Sequence, residues 1–109
     1  MIDWERVKEL RGEIGADDFA EVVEMFLEEA DDAITRLSRA LTAKAMEADL
    51  HFLKGAALNL GFFALSGLCQ DGERRAAGGS AELDLQGVAQ VYTASKAAFQ
   101  TGLAQALAA

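Results

Sequence analysis

A chain of 109 residues with no proline, ten glycines and a net charge of −8 has the length of one domain with a single core. Its acidic field repels phosphate backbones and anionic lipid headgroups, which argues against nucleic acid and membrane surfaces as partners. No apolar run is long enough to span a bilayer, and the N-terminus Met1-Ile2-Asp3-Trp4-Glu5 lacks a basic, apolar signal segment, so a cytoplasmic location is expected.

Abundant Ala, Leu and Glu with few β-branched residues lean the whole chain towards helix, and the expected class is all-α. Five helical stretches are expected. Asp3 can cap a short first helix in which Trp4, Val7, Leu10 and Ile14 recur at helical spacing before Gly12 and Gly15 loosen it. This helix reads as a lid on the bundle. Asp17 and Asp18 put negative charge at the start of a second helix, whose apolar stripe runs through Phe19, Val22, Val23, Phe26, Leu27, Ala30, Ile34, Leu37 and Leu41. Its outer face (Glu21, Glu24, Glu28, Glu29, Asp31, Asp32) reads more simply as a solvated surface than as a recognition strip.

A third helix is expected from about Lys44 to Gly61, a residue suited to the left-handed position beyond a helix end. The fourth follows at once with Leu65, Leu68, Cys69, Gly72 and Ala76 on its stripe, and stops at Ala76-Ala77-Gly78-Gly79-Ser80. Cys69, the single cysteine, cannot form an internal disulfide and reads as a small buried thiol. Ser80 is the expected cap of the fifth helix, along which Leu85, Val88, Tyr92, Ala98 or Phe99, Leu103 and Leu107 recur.

The third helix carries the only histidine. At about 100° per residue, Leu50, Phe52, Leu53, Ala56, Ala57 and Leu60 fill an apolar arc of roughly 160°, and His51 projects from the opposite side. Lys54 and Gly55, three and four positions on, stack beside it and offer a cation on one flank and open approach on the other. A lone histidine is ordinarily structural, but this placement suggests phosphoryl chemistry. Helices joined by so short a turn must run antiparallel, and counting from Phe62, His51 lies eleven residues before it and Glu73 eleven after. The two should stand at one height, where Glu73 could hold one imidazole nitrogen and leave the other nucleophilic, or could be a plain surface charge. Leu58 and Phe62 are expected near the His51 face, either as an apolar docking rim or packed beneath the first helix.

His51-Phe52-Leu53-Lys54-Gly55 with Asn59-Leu60-Gly61, and Leu68-Cys69 ahead of Glu73, resembles the histidine-containing phosphotransfer (HPt) domain of bacterial and fungal phosphorelays. Ile2-Asp3-Trp4, Leu10-Arg11, Gly15, Phe26-Leu27-Glu28-Glu29-Ala30 and Tyr92 extend the likeness to nearly the whole chain, taken as one domain over 1–109. The resemblance implies an antiparallel four-helix bundle with a short additional N-terminal helix. It also implies a phosphoryl group carried on His51 between receiver-domain aspartates, Lys54 stabilising charge, Gly55 giving the receiver access, and Glu73 orienting the imidazole. Two positions depart from the pattern: Phe52 where a small or polar residue is common, and Gly72 where a leucine is usual.

Implied partners are response-regulator receiver domains and a hybrid or cognate histidine kinase, with the chain itself a monomer. One histidine and scattered carboxylates make no metal constellation, and there is no Gly-rich nucleotide loop. Mg²⁺ is therefore expected from the partner receiver, and no autonomous ATP-dependent kinase activity is expected. The beginning at Met1 and the ending Ala106-Leu107-Ala108-Ala109 suggest a free-standing protein. The alternative reading is a helical interaction module that binds receiver or kinase domains without being phosphorylated. A hydrolase or other enzyme using Glu73 or another carboxylate as base lacks a second acid/base partner and a loop able to line a pocket.

Overall fold

A computed structural model describes the backbone of residues 1–108 and the side chains through Ala106. It has five helices and no strand among these residues: α1 (Trp4–Ile14), α2 (Ala16–Arg39), α3 (Ala43–Leu60), α4 (Phe63–Ala77) and α5 (Leu85–Ala108). Helices α2 to α5 form the antiparallel bundle, α2 packing on α3 and α5, and α4 on the same two. The all-α class and the five-helix order expected from the sequence both hold.

Local chemistry sets the helix ends. The Asp3 carboxylate accepts the Arg6 amide at 3.3 Å and starts α1 as expected. That helix runs through Gly12 and ends only at Gly15, whose positive φ of 101° turns the chain straight into α2. Thr42, which the sequence reading passed over, caps α3 by accepting the Ala45 amide at 3.1 Å. At the other end of α3, Gly61 is left-handed at φ 76°, and a Cβ there would lie 2.6 Å from the Asp3 carbonyl oxygen. Only glycine satisfies both demands. The Asp3 amide donates to the Gly61 carbonyl at 2.7 Å, which ties the start of α1 to the α3–α4 turn.

Several expectations are corrected. Ser80 does not cap the fifth helix; its hydroxyl accepts the Glu82 amide within the loop, and Asp84 caps α5 by accepting the Gly87 amide at 2.9 Å. Both are good capping types, and the later one lies where the helix begins. Leu41 falls beyond the end of α2 and is 90% exposed, because the chain turns extended at Ala40 before the stripe can reach it. Leu68 and Phe52 are also exposed, each at the margin of its apolar arc. Leu107 lies outside the described side chains.

The core is one cluster drawn from all five helices. Phe62 is buried at its centre, edge-on to Phe99 at 5.4 Å and tilted against Tyr92 at 6.5 Å. Fully burying a side chain of this size contributes about 1.5–3 kcal/mol. Phe62 is thus no docking residue: the left-handed step at Gly61 rotates it inward, and Phe63, the next residue, is exposed instead. Trp4 stacks on Phe99 at 5.9 Å, over Gly102, where any Cβ would collide with the indole. In this way α1 closes one end of the bundle, as a lid would.

Candidate functional site

The α3–α4 hairpin places His51 and Glu73 at one height, as the count from Phe62 requires. The His51 Nδ1 lies 2.7 Å from Glu73 Oε2, while the imidazole side chain stays 69% exposed. A carboxylate oxygen can only accept here, so Nδ1 carries the proton and donates it. In the neutral ring the other nitrogen then keeps its lone pair.

Glu73 does more than the sequence reading assigned. Its second oxygen, Oε1, lies 2.7 Å from Lys54 Nζ, so one carboxylate bridges the imidazole and the ammonium. Spacing could have shown this. Lys54 sits one turn along the face of α3 that His51 occupies, and an acidic side chain reaching one from the neighbouring helix reaches both. The Lys54 hydrogen bond is the main reason the Glu73 carboxyl is held below its ordinary pKa of 4.5; partial burial opposes this, and the His51 hydrogen bond assists it. The carboxylate is therefore ionised throughout the neutral range.

Gly55 leaves open space, since nothing lies within 4 Å of where a Cβ would stand. Beside it a groove of about 300 Å³ runs between α2 and α3, lined by Phe26, Glu29, His51, Phe52, Gly55, Ala56 and Asn59. Asn59 donates to the Gly55 carbonyl at 3.1 Å and accepts from Arg6 Nη2 at 3.2 Å, linking α1 to this end of the site. Leu58 is 55% exposed, and Phe63 is exposed to the same degree. Beneath the site Cys69 is buried, and burial, followed by the charge of Glu73, pushes its thiol up to about 12 against the opposing pull of Lys54. It stays a neutral thiol at physiological pH and serves packing.

The departure at Gly72 has a local counterpart. A Cβ there would stand 3.0 Å from Leu50 Cδ1, so Leu50 of α3 fills the space a side chain at 72 would take. Among the described residues no group of three or more His, Cys, Asp or Glu converges on one point, and no helix is long and apolar enough to cross a membrane.

A family model of the Hpt domain matches residues 21–109, and the chain belongs to that family. Hpt domains carry a phosphoryl group on a histidine in the phosphorelays of two-component signalling; they are phosphotransfer carriers and not kinases, and they interact with receiver domains and kinases. No curated protein and no solved structure gave a significant match.

Proposed function

We propose that His51 is the phosphoacceptor of this Hpt domain, taking a phosphoryl group from the aspartyl phosphate of one receiver domain and passing it to the aspartate of another. The observation that carries this is the exposed imidazole with Nδ1 tied to Glu73 at 2.7 Å. With that proton fixed, Nε2 attacks phosphorus. An N–P bond forms, the P–O bond to the receiver carboxylate breaks, and the electron pair leaves on the carboxylate oxygen. No proton need move, because the ring becomes an imidazolium whose charge faces the Glu73 carboxylate.

The transition state is loose, with charge on the equatorial phosphoryl oxygens, so positioning and electrostatics do most of the work. Lys54 supplies positive charge at that moment by turning its ammonium from Glu73 towards the phosphoryl group. Gly55 leaves room for the receiver's active-site loops, and Leu58 offers apolar contact beside them. Mg²⁺ belongs to the partner in this reading: the receiver's own aspartates would hold the ion, which would offset charge on the phosphoryl oxygens. The donor and acceptor are response-regulator receiver domains, with a hybrid or cognate histidine kinase as a further partner, acting with this chain in the cytoplasm.

The test is incubation with a ³²P-labelled receiver domain and Mg²⁺, followed by treatment with acid and with alkali. Label on this chain that is acid-labile and alkali-stable, and that is lost in His51→Gln, is the expected result. A chain that binds the receiver yet takes no label would be an interaction module, and the carrier reading would fall.

A further inference from the structure

Phe52 is a large apolar ring, 42% exposed, immediately after the reactive histidine, whereas Leu50, Leu53, Ala56 and Ala57 of the same arc are buried. It is also held. The Arg36 guanidinium of α2 lies over the ring, 5.6 Å from its centroid, and Arg36 Nε is 3.2 Å from Asp49 Oδ1 on α3. A cation over an aromatic face, itself paired with a carboxylate one turn before the ring, favours this position of the ring. Phe52 is thus a wall of the groove in which Phe26 and Ala56 are the other apolar surfaces and His51 stands at the edge. Neither the imidazole chemistry nor the core uses this wall.

We propose that Phe52, held by Arg36, is a specificity-determining residue that selects which receiver domains can phosphorylate this chain. The inference rests on the function proposed above. A protein that brings phosphorus to the outer nitrogen of His51 must also cover the adjoining groove. The apolar surfaces of Phe26, Phe52 and Ala56 accept a large aliphatic side chain from the receiver's docking face, at a smaller entropy cost because Arg36 already favours the ring position. An acidic side chain in that place meets Glu29, the carboxylate that lines the groove, and is rejected. Selection therefore has an attractive part, the ring, and a repulsive part, the Glu29 carboxylate. Asp49 pairs with Arg36, so the guanidinium adds little net charge beside the ring.

Two donors separate this from the chemistry at His51: a receiver domain phosphorylated with acetyl phosphate, which must dock, and phosphoramidate, which is too small to need the groove. In Phe52→Ala the ratio of receiver-driven to phosphoramidate-driven labelling is expected to fall about tenfold, through a raised KM for the receiver and not a lowered kcat. Glu29→Gln is expected to raise transfer from receivers that the wild-type chain takes poorly, which a merely structural role would not do. Leu41→Ala, remote and exposed, serves as the control. An unchanged ratio in Phe52→Ala, or an equal loss from both donors, overturns the inference while label on His51 leaves the carrier reading standing. If neither donor labels the wild-type chain, it is the carrier reading that fails.

Discussion

Two places in this bundle use the same chemical arrangement, a carboxylate that bridges a ring and a lysine ammonium. On the α3–α4 hairpin Glu73 holds His51 and Lys54, each at 2.7 Å. Between α2 and α5, Asp31 accepts the Tyr92 hydroxyl at 2.5 Å and both of its oxygens lie 3.0–3.1 Å from Lys96 Nζ. Tyr92 is buried, its hydroxyl is also within 3.3 Å of the Leu27 carbonyl, and burial, then the Asp31 hydrogen bond, pushes its acidity far out of reach. The imidazole, by contrast, faces solvent. The pattern of partners is alike, and the exposure of the ring and its chemistry decide what each can do: one cluster fastens two helices, the other leaves an imidazole open to solvent.

The comparison breaks most sharply at the two rings. His51→Gln removes the proposed nucleophile, and transfer between receivers should fall to background, with the urea midpoint moved little because the side chain lies mostly outside. Retained transfer would move the reactive group elsewhere. At Glu73 the same logic predicts a graded loss. Glu73→Ala frees the ring to change tautomer and orientation, and the transfer rate should drop about tenfold to a hundredfold, whereas Glu73→Gln keeps an acceptor for Nδ1–H and should lose much less. NMR shifts of the imidazole nitrogens check the tautomer directly.

The pH dependence of that contact has a definite sign. The folded Glu73 carboxyl titrates below its ordinary 4.5, so its contribution to stability is present in full above that value and is lost as pH falls through the depressed one. Urea midpoints measured downward from pH 5 should show Glu73→Ala and wild type converging. A difference that persists at the lowest pH would mean the carboxylate contributes by packing and not by charge.

Tyr92→Phe tests the other half of the comparison. It leaves the ring beside Phe62 and removes only a buried hydroxyl bonded to a charged partner, so stability should fall by about 1.5–3 kcal/mol while transfer per folded molecule stays the same. A loss of transfer out of proportion to stability would mean that the two clusters communicate.

How much of this was legible in the sequence differs between the two clusters for a physical reason. The His51–Glu73 contact could be counted, because a hairpin with a two-residue turn converts sequence distance into height. The Asp31–Tyr92 contact joins helices more than sixty positions apart, and no local count aligns them. The same limit explains the errors close to the site. A helical wheel placed Phe52 on the apolar side correctly, but it does not say how far α2 reaches across α3, and the ring was left outside. For Phe62 the sequence leaves a docking rim and burial beneath the first helix both open, because the α3 wheel stops short of it, where the left-handed Gly61 resets the direction and hands the exposed place to Phe63. Lys54 and Gly55 were placed well because they lie within one turn of His51, where the wheel holds.

The smallest effect lies on α5, three residues from Tyr92. Ser95 is fully buried, and among the described residues its Oγ has no hydrogen-bond partner, whereas the Tyr92 hydroxyl in the same helix has two. Burying a hydroxyl without a partner costs about 1–3 kcal/mol, and Ala is also the better helix former by a few tenths. Ser95→Ala leaves no large cavity, since only one oxygen is removed. It should therefore raise stability by about 1 kcal/mol, read as a higher urea midpoint at unchanged slope, with transfer unaffected. A lower midpoint would show that the hydroxyl is satisfied by a water or by a small shift towards a carbonyl one turn earlier, and would make Ser95 a second polar fastening of α5 beside Tyr92.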